Sequence, residues 1–288
     1  MFGEIESIFS LWDRATNYLK RNRHSDAETV ASRFISLFES YGVHRNQIPR
    51  FFDHGLTLAD IENDANLLPK LTEEILSDAC KMFAIRREWL DGSESIIYQC
   101  HDFYKHSDEF ETFIEQLRND NPNGNLDGIV LAPNKNTSNA QALLILEETI
   151  GFVGDKEIYR QHICHPWNYR YWKCRGYLAS CMAIAWKKKV YIKGMFVSND
   201  FINEYLDAEK IMGWNGEGLL AIKGQHWYPE DMTFSHEEYL KNIDEGLHGK
   251  IMALKLWVDL YDKGLMDSGL NYPDARHKFL VELDNLTK

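Results

Sequence analysis

The texture of this 288-residue chain changes once, at Asn119-Asp120-Asn121-Pro122-Asn123-Gly124-Asn125, and that change limits what it can fold into. Before this run, apolar residues recur at threes and fours, the period of helices with one buried face. After it they come in short unbroken runs closed by glycine, proline or polar clusters, as strands and turns do. The run itself is dense in turn formers. An all-helical first part and an α/β second part are therefore expected, an α+β multidomain chain. The length is enough for each part to bury a core of its own.

Within the first part, Ile5, Ile8, Phe9, Leu11, Trp12, Ala15 and Leu19 predict an amphipathic helix over 4–20. Lys20-Arg21-Asn22-Arg23-His24 ends it, suited either to the negative end of the helix dipole or to phosphate contact. Ser25-Asp26 can cap the next helix, whose apolar positions Val30, Phe34, Leu37 and Phe38 run up to Gly42, a natural stop. A short helix at Gln47–Phe52, a turn at Asp53-His54-Gly55 and a second short helix at Leu56–Glu62 follow. Leu71–Leu76, Phe83-Ala84-Ile85 and Glu88-Trp89-Leu90-Asp91-Gly92 close the module. The boundaries read as 1–25 for the N-terminal helix, 26–95 for the helical module, 96–122 for a connecting helix and linker, and 123–288 for the remainder.

Residues 27–94 resemble the lambda-repressor-like (XRE-type) helix-turn-helix domain. Phe34, Leu37, Ile48, Phe52, Leu58, Ile61, Leu71, Leu76, Phe83, Ile85, Trp89 and Leu90 fall where that family places its interior. The resemblance implies double-stranded DNA as partner, a homodimer on a two-fold site, and a recognition helix at Thr57–Asp64. Base readout would fall to Thr57, Asp60 and Asn63, and phosphate contact to Arg45 and Gln47. Arg86 and Arg87 are further basic candidates on charge alone. The chain departs from the pattern in charge. Residues 26–95 carry 7 Lys plus Arg against 13 Asp plus Glu, and Thr57–Asp64 holds three carboxylates and no basic residue. Phosphate binding draws on Lys and Arg, so a protein-interaction module with a basic partner is the rival reading.

In the second part, Gly128–Pro133 and Val190–Val197 read as strands. Ala142–Glu147 and Glu157–Ile163 flank Gly151 and Gly154-Asp155 as a hairpin does. Residues 171–186 suit a helix rich in small residues, and Ser198-Asn199-Asp200 caps a helix through Phe201, Ile202 and Leu206. Leu240, Ile243, Leu247, Ile251, Leu254 and Val258 predict one long helix over 237–262, either a dimer seam or a packed helix. A mixed sheet with flanking helices, in the manner of PAS or GAF sensor domains, is the expected architecture. Trp167, Tyr169, Arg170, Tyr171 and Trp172 either line a site for a small-molecule effector or belong to a core with polar tips at its edge. His162, Cys164, His165 and Cys174 are able to bind zinc but lack the spacing of a zinc site, so no metal is expected. Glu147, Glu148, Asp155 and Glu157 lie near the hairpin without a sequence signal that fixes their geometry, which leaves an enzyme site within 128–200 open.

The chain contains no phosphate-binding glycine loop with its lysine, no G-x-S-x-G elbow and no H-E-x-x-H, so no cofactor is expected. Its formal net charge of −12 argues against bulk attraction to nucleic acid. No apolar run is long enough for a bilayer. Met1–Glu6 lacks the start of a signal peptide, and five irregularly spaced cysteines suit a reducing compartment. These features place the chain in the cytoplasm. Together they lead to the expectation of a DNA-binding transcriptional regulator whose C-terminal part senses a small molecule or partner and dimerises.

Overall fold

Alternation along four strands decides the architecture. A computed structural model describes residues 29–134 and 140–288; the expected helix at 4–20 and its basic end lie outside the described residues. Strands β1 (Cys100–His101), β2 (Leu126–Pro133), β3 (Gln141–Val153), β4 (Lys156–Asn168), β5 (Ile192–Val197) and β6 (Gln225–Trp227) form one mixed sheet in the order β1-β4-β3-β2-β5-β6. β2, β3 and β4 run antiparallel, β5 runs parallel to β2, β1 runs parallel to β4, and β6 closes the far edge antiparallel to β5. Successive side chains leave a strand on opposite faces. Ile129, Leu131, Leu143, Ile145, Ile163, Met195 and Val197 therefore meet one apolar layer, and Val130, Ala132, Leu144, Leu146, Cys164 and Ile192 meet another.

The first face is covered by the N-terminal helices. These are α1 (Val30–Ser40), α2 (Ile48–Phe51), α3 (Asp64–Leu67), α4 (Glu73–Phe83) and α5 (Arg87–Leu90). Thr29 and Thr72 cap α1 and α4 by accepting from Ser32 N–H and Ile75 N–H. Phe34, Phe38, Phe52 and Phe83 interlock at ring-centroid distances of 4.8–5.9 Å. This aromatic cluster belongs to the same core as Ile129, Leu143 and Met195 of the sheet, so the helical module and the sheet share their apolar layer. Helix α8 (Asn199–Leu206), capped by Ser198, completes that cover.

The opposite face packs against α6 (Ser107–Asp120) and α7 (Trp172–Lys187). Behind them lie α9 (His236–Leu240), α10 (Gly246–Asp262) and α11 (Ala275–Thr287). Trp257 of α10 stacks on Phe279 of α11 at 3.6 Å. Among the described residues, no helix is long and apolar enough to cross a membrane.

Three expected elements differ. Residues 56–62 form turns rather than a second short helix. Thr57 N–H and Oγ1 both donate to Asp60 Oδ2, at 2.9 and 2.6 Å, and this side-chain-closed turn competes with the helix ladder. The connecting helix expected within 96–122 begins only at Ser107; Ile97 and Tyr98 are instead buried against the loop at Ala208, whose carbonyl accepts from Ile97 N–H at 2.8 Å. The long helix over 237–262 is broken between Leu240 and Gly246. Asn242 and Glu245 take left-handed φ values of 63° and 67°, and Asp244 turns back to donate its N–H to the carbonyl of Arg170 at 2.9 Å.

Candidate functional site

Glu147 and Glu148 are neighbours on β3 and face opposite sides of the sheet. Glu148 is buried under a ring of donors: Arg160 Nε and Nη2 at 2.6 and 2.9 Å, His162 Nε2 at 3.1 Å and Asn121 Nδ2 at 2.8 Å. Burial alone would raise its pKa. The hydrogen bonds from His162 and Arg160, with the Arg160 charge and Asn121, outweigh burial and hold the carboxyl at about 2. Arg160 also donates to the carbonyl of Lys81 at 3.1 Å, so this ion pair ties the sheet to the end of α4. Arg160, His162 and Asn121 all converge on this one carboxylate.

Glu147 stands on the other face, in line with Leu143 and Ile145. Its Oε2 accepts from Gln161 Nε2 and from the backbone N–H of Leu219, both at 2.8 Å. Oε1 accepts no hydrogen bond among the described residues. Burial pushes the carboxyl up to about 7 against the opposing pull of those two donors. Gln161 is wholly buried, and its Oε1 has no partner among the described residues.

Glu147 borders a cleft of about 440 Å³ on this face, roofed by residues 219–224. Four adjacent strands supply the floor. Asp127 on β2 is the direct register partner of Glu147, and Lys193 on β5 pairs in register with Ile129. Tyr159 on β4 donates its hydroxyl to Glu157 at 2.9 Å. Burial also raises Asp127, partly offset by Lys193. Ile129, Met195, Leu219 and Ile222 form an apolar wall, and His226 of β6 closes one end. A cavity with one apolar wall and a few converging polar groups is the usual form of a small-molecule site. Two carboxyls opposite each other with raised proton affinity can accept N–H donors or exchange a proton with a bound molecule.

The expected ligand residues lie elsewhere. Trp167 and Tyr169 are buried in the opposite apolar layer. Arg170 pairs with Asp244 and donates to the carbonyl of Asn242 at 3.3 Å. Tyr171 precedes α7, its ring set edge-on to Trp172 at 5.7 Å. None of the five borders the Glu147 cleft. Of the four zinc-capable residues, His162 is engaged by Glu148 and Cys164 is buried in the core. The described residues contain no metal-ligand cluster of three or more, and the side chain of His165 lies outside them.

The five residues assigned to DNA contact are exposed or half-buried in the helical module, each with an internal partner. Arg45 donates to the carbonyl of Glu62 at 3.2 Å and approaches Asp64 at 4.0 Å. The side chain of Gln47 accepts from His44 N–H at 2.9 Å. Thr57 and Asp60 close their shared turn, with Lys70 3.5 Å from Asp60. Asn63 caps α3 by accepting from Asn66 N–H at 3.0 Å. No protein family, curated protein or solved structure matches this chain.

Asp127, Tyr159, Lys193 and the 219–224 roof carry no local motif. The one available signal was alternation: Leu143, Ile145 and Glu147 share a strand face, which marks a carboxylate at the margin of a buried layer.

Proposed function

We propose that this protein binds a small, donor-rich molecule in the Glu147 cleft and uses its helical module as the output of that binding, as a ligand-responsive regulator does. The observation that carries the reading is Glu147 itself: a carboxylate at the edge of the core whose Oε2 is saturated from within while Oε1 is left for a guest. With Asp127 opposite, the matching chemistry is an amine, an amidine or a ring N–H on a flat apolar body that lies against Ile129 and Met195. In this reading the sheet and its flanking helices take the part that PAS and GAF domains take in sensors.

The test is titration calorimetry with benzamidine, benzamide and benzoate as probes. Benzamidine is expected to bind best, and Glu147→Gln to weaken it tenfold or more, about 1.4 kcal/mol. Benzoate binding as well as benzamidine, or binding indifferent to Glu147→Gln, would overturn the assignment.

On the output side, the surface bearing Arg45, Gln47, Thr57, Asp60 and Asn63 is the DNA-contacting surface that the helix-turn-helix resemblance implies. Selection from random-sequence DNA pools at low and moderate salt tests it. Enrichment of a two-fold site with steep salt dependence supports the regulator; no enrichment leaves the module as a protein-binding element. An acid–base enzyme is the second reading, favoured by the register pairing of Asp127 with Glu147.

A further inference from the structure

The cleft roof continues without a break into the helical module, and every joint along the way is a named contact. The segment 212–222 starts beneath α1. Met212 N–H donates to Tyr98 Oη at 2.8 Å, and Tyr98 Oη lies 2.7 Å from Tyr41 Oη just past the end of α1. Gly213 sits so close to α1 that a Cβ there would lie 2.2 Å from the carbonyl oxygen of Ser40. Gly216 faces Gly42 in the same way, with 2.8 Å from such a Cβ to the Gly42 Cα. Lys156 Nζ donates to the carbonyl of Asn215 at 3.0 Å, and Trp214 Nε1 donates to Tyr205 Oη at 3.1 Å. The segment ends on the cleft: Gly218 packs on Glu147 and Tyr159, and Leu219 N–H donates to Glu147 Oε2.

The backbone between these joints is strained. Trp214 and Asn215 have φ of 44° and 54°, a pair of consecutive non-glycine residues in the left-handed region, followed by glycines at 216 and 218 that also take positive φ. Each such residue costs on the order of 1 kcal/mol and persists only where its surroundings hold it. Here the holding contacts are α1 at one end, Glu147 at the other, and Lys156 and Tyr205 at the strained pair itself. Backbone-to-backbone packing of this kind does not yield gradually, so losing one end shifts the whole segment.

We propose that residues 212–222 form a strap that couples the occupancy of Glu147 to the C-terminal end of α1. A guest that takes Oε1 turns the Glu147 carboxylate away from Leu219 N–H and lets the strap go, and the Ser40–Val43 corner with the Tyr41–Tyr98 pair loosens with it. This rests on the Glu147 cleft being the ligand site. It predicts the direction of signalling: a filled cleft frees the corner from which the Arg45 surface follows. The charged and titratable groups around Glu147 and its cleft are Asp127 on β2, Glu157 and Tyr159 on β4, Lys193 on β5, Lys223 in the roof, His226 on β6 and Tyr41 after α1.

Hydrogen exchange on the ligand-free full chain tests the coupling separately from ligand binding. Glu147→Ala is expected to raise exchange at least tenfold at Leu219 and also across 40–43, leaving α7 and α10 on the far face unchanged. Faster exchange at Leu219 with 40–43 unchanged would overturn the strap while leaving the ligand site intact. The reverse experiment covers a variant that fails to fold. Coupling between two sites is reciprocal, so Gly213→Ala, introduced at the α1 end, must shift the carboxyl titration of Glu147 followed by carbon NMR. An unchanged titration in a folded Gly213→Ala protein would overturn the proposal.

Discussion

At the scale of single residues, the pair Glu147 and Glu148 sets opposite pH responses into one strand. Glu147, raised to about 7, binds its proton more tightly in the folded than in the unfolded state. Its contribution to stability is therefore full below about 4.5 and lost as pH rises to about 7. Glu148, held at about 2, behaves in reverse: its contribution is present above about 4.5 and lost as pH falls toward 2. Glu147→Gln should leave stability near pH 5 little changed and raise it near pH 8 by about 1–3 kcal/mol, measured by urea unfolding at the two pH values. Glu148→Gln should cost about 3 kcal/mol near neutral pH, because Arg160 and His162 lose the charge they surround. A Glu147→Gln protein destabilised equally at both pH values would mean that the carboxylate is not held against its preference.

The strap and the helix break show what governs the elements. Gly213→Ala is expected to cost about 1–3 kcal/mol by overpacking against Ser40, seen as a lowered urea midpoint with an unchanged slope. No cost would mean that the strap can lift from α1 without consequence. Elements whose own pattern decides them were legible in the sequence: β2, the β3–β4 hairpin, α7, β5 and α8 all follow from apolar period and turn residues. Elements decided by a distant partner were not. Leu58 was expected to be interior and is 62% exposed, because Thr57 and Asp60 close a turn before a helix can form. The apolar line from Leu240 to Val258 suggested one helix, yet Arg170 draws Asp244 out of it. Leu240, Ile243 and Leu254 point into the chain's own core, leaving Leu247 exposed, so this line is spent on packing. The cleft was illegible for the same reason. Its groups come from five strands and a roof, with Asp127 and His226 99 residues apart in sequence, and only the placing of Glu147 on the Leu143–Ile145 face is written locally.

At the scale of the whole molecule, the helical module and the sheet are joined by one apolar layer and by the Arg160 bridge to α4. A module that merely hung from a linker would keep its aromatic cluster to itself; Phe38 here shares a core with Ile129, Leu143 and Met195. Truncating a buried phenylalanine costs about 3–5 kcal/mol, and where that cost appears tells whether the two parts unfold together. Phe38→Ala is expected to lower the thermal midpoint of both parts in a single transition. Amide exchange of Phe34 and Phe83 would follow the helical module, and that of Leu144 and Ile145 the sheet, with coincident curves. Two separated transitions, with Leu144 and Ile145 protected after the helices have melted, would show that the shared layer does not bind the parts into one cooperative unit. The strap would then connect bodies that move independently. Coincident unfolding is what lets a short strap matter: a displacement at Glu147 reaches α1 because both ends rest on the same close-packed layer, which has few ways to absorb it.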